Sequence, residues 1–400
     1  MVTLLHTADW QIDDKNEKKV CYSLDQILEY CQLIKVDHLL NAGDLSETPR
    51  MFKSETGVDK LFYYLDALSR LVKYISIVKG NNHHDAPGSV SLLHNIRPNI
   101  LAYEQPAMLA FMPEPVDLFR DESTLQEIAA GSVKEPEIII SLMPYPTKGA
   151  FITNQSIDAN NKDFGEIFDG LMISFGMLND KFKCPKVMGF HGNLLGAALS
   201  NGQKLLGQDV IIAPSSLQKA NCDYYGLGHI HMYQKILSNM IYSGNTANRN
   251  WGEIEQKSFQ VVRFDNGEME IERIMLKGSR PMVEVLAEFK DGKIVYDAEI
   301  PENAEVRIRC KVAEDENCLL TNEKKDEFTR QLGADKQVRF DPEIVPNKRE
   351  SRSETIMEAK TLEEEVSEYA RVTGQEVTKS ILAKVDWVRQ KAAELAAVSE

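Results

Sequence analysis

The sequence lacks paired cysteines, long apolar runs and an excess of positive charge. Its six cysteines include no CxxC pair, which argues against a thiolate zinc site or a disulfide framework and indicates reduced, buried thiols. No stretch reaches about 18 uninterrupted apolar residues, and the opening run is broken by His6 and Asp9. We therefore expect neither a membrane span nor a secretory leader, and a protein that acts in the cytoplasm of a cell or of a virus-infected host.

Positive charge is in deficit, because 46 Lys and Arg residues against 61 Asp and Glu residues give a net charge of −15. This balance argues against a surface that coats nucleic acid by itself. A polyanionic substrate would have to be held locally. Bound divalent cations could do so, since a carboxylate-rich site that captures metal ions inverts its own sign.

The chain is too long for one hydrophobic core, since its 400 residues exceed the roughly 250–300 at which single cores stop growing. Short, unalternated apolar runs recur over the first 275 residues, with helical-period segments such as 18–35 between them. This pattern is typical of α/β layering with strands buried on both faces. The predicted strands are 2–7, 38–42, 74–78, 137–143, 186–190, 210–213, 224–227 and 240–242, followed by a hairpin of 258–264 and 268–276 around Asn266-Gly267.

Beyond the hairpin we predict a small α+β domain and a helical tail. Alternating pieces at 282–289 and 304–310 indicate the small domain. The polar stretch 348–353 predicts a linker, Thr361-x-x-Glu364 a capping box that begins a helix, and Gly374 the end of that helix. A second helix carries an apolar stripe that includes Val377, Ile381, Val385 and Val388. The predicted domains are 1–278, 279–346 and 347–400.

Polar residues of one chemical kind follow the predicted strands. Ligands in open α/β sheets bind beyond the carboxyl ends of the strands, so several strand ends that supply Asp, Asn and His point to one shared site. Carboxylate, amide oxygen and imidazole without thiolate favour manganese, magnesium, iron or zinc. The segments are Asp9-x-Gln11, Gly43-Asp44-Leu45, Gly80-Asn81-Asn82-His83-His84-Asp85, Gly189-Phe190-His191-Gly192 and Gly228-His229-Ile230-His231.

These segments, in this order, resemble the motifs of the calcineurin-like binuclear metallophosphoesterases, and more closely those of the SbcD family of DNA-repair exonucleases. That family's HTADWH, GDL, GNHD, GHIH and YSGN are matched at 6–11, 43–45, 80–85, 228–231 and 242–245, and Arg280-Pro281-Met282 resembles the start of its capping domain. The resemblance is motif-specific over residues 1–282 and rests on architecture beyond them. It implies a two-sheet α/β sandwich metallophosphoesterase core, a small α+β capping domain that binds DNA, and a C-terminal helical tail.

The resemblance also implies two divalent metal ions, with Mn²⁺ favoured and Mg²⁺ as the alternative. One ion would be held by Asp9, Asp44 and His231, and the other by Asp44, His191, His229 and an Asn of the third motif, so that Asp44 bridges. Two ions roughly 3.5–4 Å apart clamp a phosphodiester and lower the pKa of a bound water. A His of the third motif would orient the phosphate or protonate the leaving alkoxide.

Gln11 departs from the family pattern, which has a His at this position. A neutral amide oxygen is a poorer ligand for most transition metals than imidazole, so one alternative is a weak or absent first ion. The other is that Gln11 is an ordinary polar residue in a working site.

The third motif departs as well, because it is two residues longer than GNHD. Counting from the strand selects Asn81 as the metal ligand, whereas keeping an adjacent Asn-His pair selects Asn82 and His83. Counting backwards from Asp85 selects His84 as the catalytic residue. An extra imidazole here could also replace the one missing at position 11, and the sequence leaves these alternatives open.

The function predicted from this resemblance is that of a metal-dependent DNA exonuclease and endonuclease, the nuclease subunit of an SbcCD-like repair and recombination complex. Its expected partners are DNA, as double-stranded ends or single strands, an SbcC-like SMC-type ATPase gripped by the C-terminal helices, and a second copy of the chain through 60–74 and 89–96. Two alternatives stand beside it. One is a catalytically impaired adaptor that binds DNA ends for the ATPase, which Gln11 favours, and the other is a small-molecule phosphodiesterase of the same superfamily.

Overall fold

A computed structural model describes residues 1–49, 53, 56–112, 114–118, 122–129, 131, 134–147, 157–199, 210–278, 280–331, 337–346 and 361–398. Its strands are β1 (Val2–Thr7), β2 (His38–Asn41), β3 (Tyr74–Val78), β4 (Ile100–Tyr103), β5 (Ala107–Phe111), β6 (Pro115–Asp117), β7 (Ile138–Met143), β8 (Lys186–His191), β9 (Asn193–Leu194), β10 (Ile211–Ile212), β11 (Tyr224–Gly228), β12 (Gln234–Leu237), β13 (Met240–Tyr242), β14 (Ser258–Asp265), β15 (Glu268–Met275), β16 (Met282–Lys290), β17 (Lys293–Tyr296), β18 (Glu305–Ala313) and β19 (Gln337–Val345). Its helices are α1 (Glu17–Leu33), α2 (Gly57–Ser69), α3 (Glu122–Ala129), α4 (Ile157–Asn179), α5 (Pro214–Gln218), α6 (Asn322–Gln331), α7 (Leu362–Thr373) and α8 (Lys379–Val398).

Two mixed sheets form the core. The six-stranded sheet has the order β15-β14-β1-β2-β3-β4, and the seven-stranded sheet has the order β12-β13-β11-β8-β7-β5-β6. Strands β1 to β4 pair in parallel, as do β7, β8, β11 and β13. Parallel strands place their carboxyl ends at one edge, so each sheet gathers its strand-end loops there.

Apolar side chains between and outside the sheets define the layers. A cluster that includes Leu4 and Leu40 of the first sheet with Leu142 and Val187 of the second fills the space between them. Helices α1 and α2 cover the outer face of the first sheet, and α4 and α5 cover that of the second. The predicted α/β sandwich is therefore confirmed, and burial on both faces explains why the strands read as unalternated apolar runs.

The predicted hairpin is also confirmed. Strands β14 and β15 pair antiparallel from Ser258↔Met275 to Asp265↔Glu268. The turn residues Asn266 and Gly267 have φ of 51° and 85°, which is the left-handed backbone that an Asn-Gly turn requires. This hairpin extends the first sheet beyond β1.

By its contacts the chain divides into two compact units, one of 1–286, 296–309 and 325–341 and the other of 287–295, 310–324 and 342–400. A third sheet has the order β17-β16-β18-β19. The predicted domain boundaries at 278 and 346 stay a prediction, and the predicted linker at 348–353 lies outside the described residues. Within the described part of the chain, no helix has the length and apolar character needed to cross a bilayer.

Helices α7 and α8 form as their sequence signals indicate. The Thr361 hydroxyl accepts a bond from the Glu364 main-chain N–H, and the Glu364 carboxylate accepts one from that of Thr361, both at 3.2 Å. Gly374 ends α7 with φ of 67°. The capping box and the glycine stop are confirmed.

The cysteines are free, as expected, and Cys31, Cys184, Cys222 and Cys310 are buried. The expectation of burial is wrong for Cys318, which is exposed within the short helical turn Asn317–Leu319, and Cys21 is only partly buried.

Candidate metal centre

The strand-end residues of both sheets form one site. Asp9, Asp44 and Asn81 follow β1, β2 and β3 within three residues, His191 ends β8, and His229 follows β11 directly. The loops are joined by main-chain bonds, since the Asp9 N–H donates to the Gly43 carbonyl at 2.9 Å and the Gln11 N–H to that of Asp44 at 3.0 Å. The structure therefore brings together the strand-end residues that were expected to share a site, and their roles stay predictions.

Backbone strain is concentrated at this site. Asp9, Gln11, Asp44 and His229 have φ of 50°, 46°, 54° and 97°, in a region that costs a residue with a side chain roughly 1–3 kcal/mol. The other described non-glycine residues with positive φ are of the turn-forming types Asn and Asp, namely Asn221, Asn266, Asp291 and Asn303. Strain of this kind persists where the surrounding structure over-determines it, as at a functional site.

Asp44, His191 and His229 offer ligand atoms that all lie within 4.8 Å of one another. Nδ1 of His191 lies 2.6 Å from the Ala42 carbonyl oxygen. Because a carbonyl only accepts, Nδ1 carries a hydrogen, and Nε2 faces the Asp44 carboxylate at 3.3 Å. Positive charge is needed between these two atoms, and a proton on Nε2 or a divalent metal ion in its place would supply it, so this cluster fits a divalent metal ion.

Burial and the neighbouring charged groups determine the pKa values of Asp44, His191 and His229. Burial alone would lower the pKa of His191, but the Asp44 carboxylate outweighs it and raises this pKa to about 9. Burial lowers the pKa of His229 to about 3, with the neighbouring His191 adding to the shift, so His229 is neutral and able to ligate. Burial opposes ionisation of Asp44, yet His191 holds its pKa below the usual range.

Asp9 is fixed by His229. Both carboxylate oxygens of Asp9 accept from the His229 main-chain N–H at 3.0 Å. Burial raises the pKa of Asp9 to about 6, against the effect of His191. A buried carboxylate with so little compensation is a group that a cation would stabilise.

Gln11 lies among three acceptor groups. Its Nε2 is 3.2 Å from Nε2 of His84, 3.2 Å from Nε2 of His231 and 3.5 Å from Oδ2 of Asp44. Its Oε1 is buried and has no hydrogen-bond partner among the described residues. The amide nitrogen therefore occupies the point on which these acceptors converge.

The third motif folds as a turn that separates its members. The Asn81 main-chain N–H and amide donate to the two Asp44 carboxylate oxygens at 2.9 Å. Asn82 is exposed and its Oδ1 lies 2.5 Å from Nζ of Lys79, whereas His83 is exposed and its main-chain N–H donates to Oδ1 of Asn81 at 2.9 Å. Asn81 and His84 are thus brought to the site, and Asn82 and His83 lie at its rim; their chemical roles stay predictions.

In the sequence, Asp85 served only as the position from which His84 was counted. In the structure, the Asp85 side chain positions Asp44. The buried Asp85 carboxylate accepts main-chain bonds from Asp44 at 3.0 Å, Leu45 at 3.1 Å, Ser46 at 3.4 Å and Gly80 at 2.8 Å. Gly80 permits this approach, because a Cβ there would lie 2.0 Å from Oδ1 of Asp44. The loops after β2 and β3 are therefore fixed to each other.

Glu253 is a second residue that sequence reasoning missed. Its fully buried carboxylate lies 3.4 Å from Nδ1 of His231, 2.9 Å from Nζ of Lys257 and 2.8 Å from the Asn250 amide. Burial opposes its ionisation, but His231 and Lys257 hold its pKa below the usual range. The signal in the sequence that could have identified Glu253 is an acidic residue two positions after Trp251, in the segment that follows Tyr242-Ser243-Gly244-Asn245.

A cavity of about 330 Å³ lies beside the Gln11 main chain, because Asn16 and Arg249 in its wall donate to the Gln11 carbonyl. Arg249 also pairs with Glu47 at 2.6 Å. Lys15 and Lys19 also line it, beside Asp13. The cavity thus brings positive side chains next to the candidate centre; its lining residues are Asp13, Lys15, Asn16, Lys19, Glu47, Thr48, Ala247, Asn248 and Arg249.

The residues predicted to bind a partner differ in exposure. Ile381 and Val388 are 40% and 48% exposed, whereas Val385 is 7% exposed. Val377 is half-buried and precedes α8 by two residues, so its predicted place on the second helix is wrong. Among the α8 residues whose exposure is described, the large apolar side chains open to solvent are Ile381, Leu382, Trp387 and Val388 rather than the whole stripe.

No family model matches the chain, and no curated protein matches it. Among solved structures, the phosphopantetheinyl hydrolase of Mycobacterium tuberculosis is similar with 15% identity over 61% of this chain and 90% of that chain, at a TM-score of 0.30. A further crystal structure is similar with 13% identity over 68% of this chain and 98% of that chain, at a TM-score of 0.37. Likeness at this level carries no argument, so the conclusions below rest on the geometry and on the motifs.

Proposed function

We propose that this protein is a metal-dependent phosphodiesterase that acts on DNA ends. The observation that carries the proposal is the convergence of Asp44, His191 and His229, whose ligand atoms lie within 4.8 Å of one another at the carboxyl ends of two facing sheets. Asp9 and His231, the other members of the motif set, lie in the same site. Divalent ions held there would supply an activated water and neutralise charge on the phosphodiester.

The chain's own residues give that centre its order. The Asp44 carboxylate lies between the imidazole groups of His191 and His84, at 3.3 and 3.8 Å, and this position supports a bridging role for it. Asp85 holds the Asp44 main chain, and Glu253 and the Asn250 amide contact Nδ1 of His231 at 3.4 and 3.3 Å, which leaves its Nε2 facing the site. A centre fixed in this way has little freedom to lose on binding an ion.

Three features support DNA as the substrate. The motif set resembles that of the SbcD-type nucleases, and Arg280-Pro281-Met282 resembles the start of their DNA-binding capping domain. Of the basic side chains that line the cavity, Lys19 pairs with Glu305 at 2.7 Å and Arg249 with Glu47 at 2.6 Å, so Lys15 is the side chain that would offer its charge to a phosphate flanking the scissile one. With a net charge of −15, the chain would rely on such local charge, on Mn²⁺ or Mg²⁺ and on its partners to hold a polyanion.

The proposed partners are an SbcC-like SMC-type ATPase and a second copy of the chain. The exposed apolar residues Ile381, Trp387 and Val388 on α8 suit the first, since an amphipathic helix commonly binds in an apolar groove. The homodimer rests on the family resemblance of 60–74 and 89–96.

The test compares three substrates with and without Mn²⁺: an end-labelled duplex, a labelled single strand and bis-p-nitrophenyl phosphate. We expect metal-dependent cleavage of DNA, and at least a 100-fold loss in Asp44→Asn, since the proposed bridge is removed. Asp265→Asn, a change of the same kind at an exposed residue beside the β14–β15 turn, should retain activity. Cleavage of the small ester alone, even with the ATPase and ATP present, would contradict the choice of DNA.

One observation favours a second candidate, the impaired DNA-end-binding adaptor. The amide of Gln11 fills the point where Asp44, His84 and His231 converge. If it excludes an ion, the chain would bind DNA ends without cutting them. DNA binding that persists in Mn²⁺ with no cleavage of any of the three substrates would establish this alternative.

A further inference from the structure

The point at Nε2 of Gln11 is surrounded by acceptors that a single amide cannot satisfy. An NH₂ group has two hydrogens, whereas Asp44, His84 and His231 each turn an acceptor atom towards it at 3.2–3.5 Å. At the same time the carbonyl oxygen of this amide is buried without a partner among the described residues. Buried polar groups left in this state are costly, which indicates a missing component.

The acceptor character of His84 follows from its second ring nitrogen. Nδ1 of His84 lies 2.8 Å from the Glu47 carbonyl oxygen, so Nδ1 carries the hydrogen and Nε2 keeps its lone pair. Glu47 is itself fixed by the Arg249 guanidinium at 2.6 Å. The His84 ring is therefore aimed at the site in the tautomer that a metal ligand needs.

His231 is aimed at the same point. Its Nδ1 faces the Glu253 carboxylate at 3.4 Å and the Asn250 amide at 3.3 Å, and this amide also donates to Glu253 at 2.8 Å, so the Glu253 carboxylate is the acceptor available to an Nδ1 hydrogen. Nε2 of His231 lies 3.2 Å from Nε2 of Gln11. Two imidazole lone pairs and a carboxylate oxygen then surround one position. Such a set is typical of zinc, manganese and similar divalent ions.

We propose that His84 is a ligand of a second divalent cation, held between His84, His231 and Asp44, and that this imidazole replaces the one that position 11 lacks. The proposal rests on the proposed metal centre and names the ligand that completes it. A half-turn of the Gln11 amide presents Oε1 to the cation and relieves the unsatisfied oxygen.

If His84 binds the cation, His83 remains as the histidine that would orient the phosphate or protonate the leaving alkoxide. The His83 imidazole is exposed at the rim and follows Asn81 by two residues. The two extra residues of the third motif therefore allow one histidine to ligate while the next remains available to the substrate. A shorter GNHD turn provides only one imidazole.

The test counts Mn²⁺ ions per chain by isothermal titration and by elemental analysis of desalted protein. The diagnostic variant is His84→Asn, because an Asn amide can still donate to the Glu47 carbonyl while it lacks the Nε2 ligand. His83→Asn is the matched control one residue away. Thermal melting without metal confirms that each variant is folded, and His84→Gln is the second variant if His84→Asn melts early.

We expect two ions in the wild type, one in His84→Asn and two in His83→Asn. Equal stoichiometry and affinity in the wild type and His84→Asn would overturn the assignment of His84 while leaving the phosphodiesterase proposal intact. No ion bound in the wild type would overturn the metal centre itself. The two failures are therefore distinguished by the wild-type stoichiometry alone.

Discussion

Removing the Asp85 carboxylate should destabilise the protein strongly, although this residue need not touch a metal ion. In Asp85→Ala the main-chain N–H groups of Asp44, Leu45, Ser46 and Gly80 lose their shared acceptor. These N–H groups belong to the buried loops that follow β2 and β3. Because the loops are buried, water cannot readily take the place of the carboxylate as their acceptor.

The magnitude follows from the bond lengths. Three of the four bonds are 3.1 Å or shorter, and each buried donor left without a partner costs about 1–3 kcal/mol. Partial relaxation of the loop brings the expected loss to about 4 kcal/mol of unfolding free energy. If the free energy of unfolding falls by about 3 kcal/mol for each molar of urea, the urea concentration at the unfolding midpoint should fall by about 1 M.

The assay is urea unfolding in a metal chelator, followed by tryptophan fluorescence, since Trp10 is fully buried in the same region. The matched control is Glu104→Ala. The Glu104 carboxylate also accepts two main-chain bonds, from Gly88 at 2.7 Å and Ser91 at 3.0 Å, but at an exposed position. It should cost less than about 1 kcal/mol. If Asp85→Ala costs no more than Glu104→Ala, the reasoning from the buried bonds is refuted.

Further predictions concern pH, the support of a ligand and the partner surface. Burial lowers the pKa of His38 to about 4, below its unfolded value of 6.5, so its contribution to stability is complete above pH 6.5 and falls by about 3 kcal/mol between pH 6.5 and 4. His38→Leu should flatten that decline in urea midpoints measured across this range, and an unchanged pH profile would contradict it. Glu253→Gln should weaken Mn²⁺ binding at His231 about 10–100-fold in calorimetry without removing it, and an unaltered affinity would show that the carboxylate does not support the ligand. Ile381→Asp with Val388→Asp should abolish co-purification with the ATPase and leave the core's melting temperature unchanged, whereas retained association would place the docking surface elsewhere.

Much of the sandwich could be predicted because local and tertiary signals agree. Strands β1 and β3 have the predicted bounds, since each is a short apolar run that ends where polar site residues begin. Strands β4, β5 and β6 were missed. They lie close together at 100–117, with Glu104-Gln105-Pro106 between β4 and β5, and pairing partners rather than composition define such short segments.

The sequence could predict where the site lies in the fold, but it could not predict which of the side chains there would bind a metal ion. Strand ends brought Asp9, Asp44 and the later histidines together, as the parallel pairing requires. Which Asn of the third motif faces inwards depends on the turn, in which the main-chain N–H groups of His84 and Asp85 both bond to the Asn81 carbonyl. The contacts of Glu253 depend on the conformation of a loop, and a loop has no repeating pattern of apolar residues from which its conformation could be predicted.

The most direct test of the metal centre is anomalous diffraction at the manganese edge from crystals of this protein soaked in MnCl₂. Our account predicts two peaks roughly 3.5–4 Å apart. Asp44 should lie between them, His191 and His229 should ligate one ion, and His84 and His231 the other. A single peak beside His191 would contradict the role of His84, and the absence of any peak within bonding distance of Asp44 would contradict the proposed metal centre.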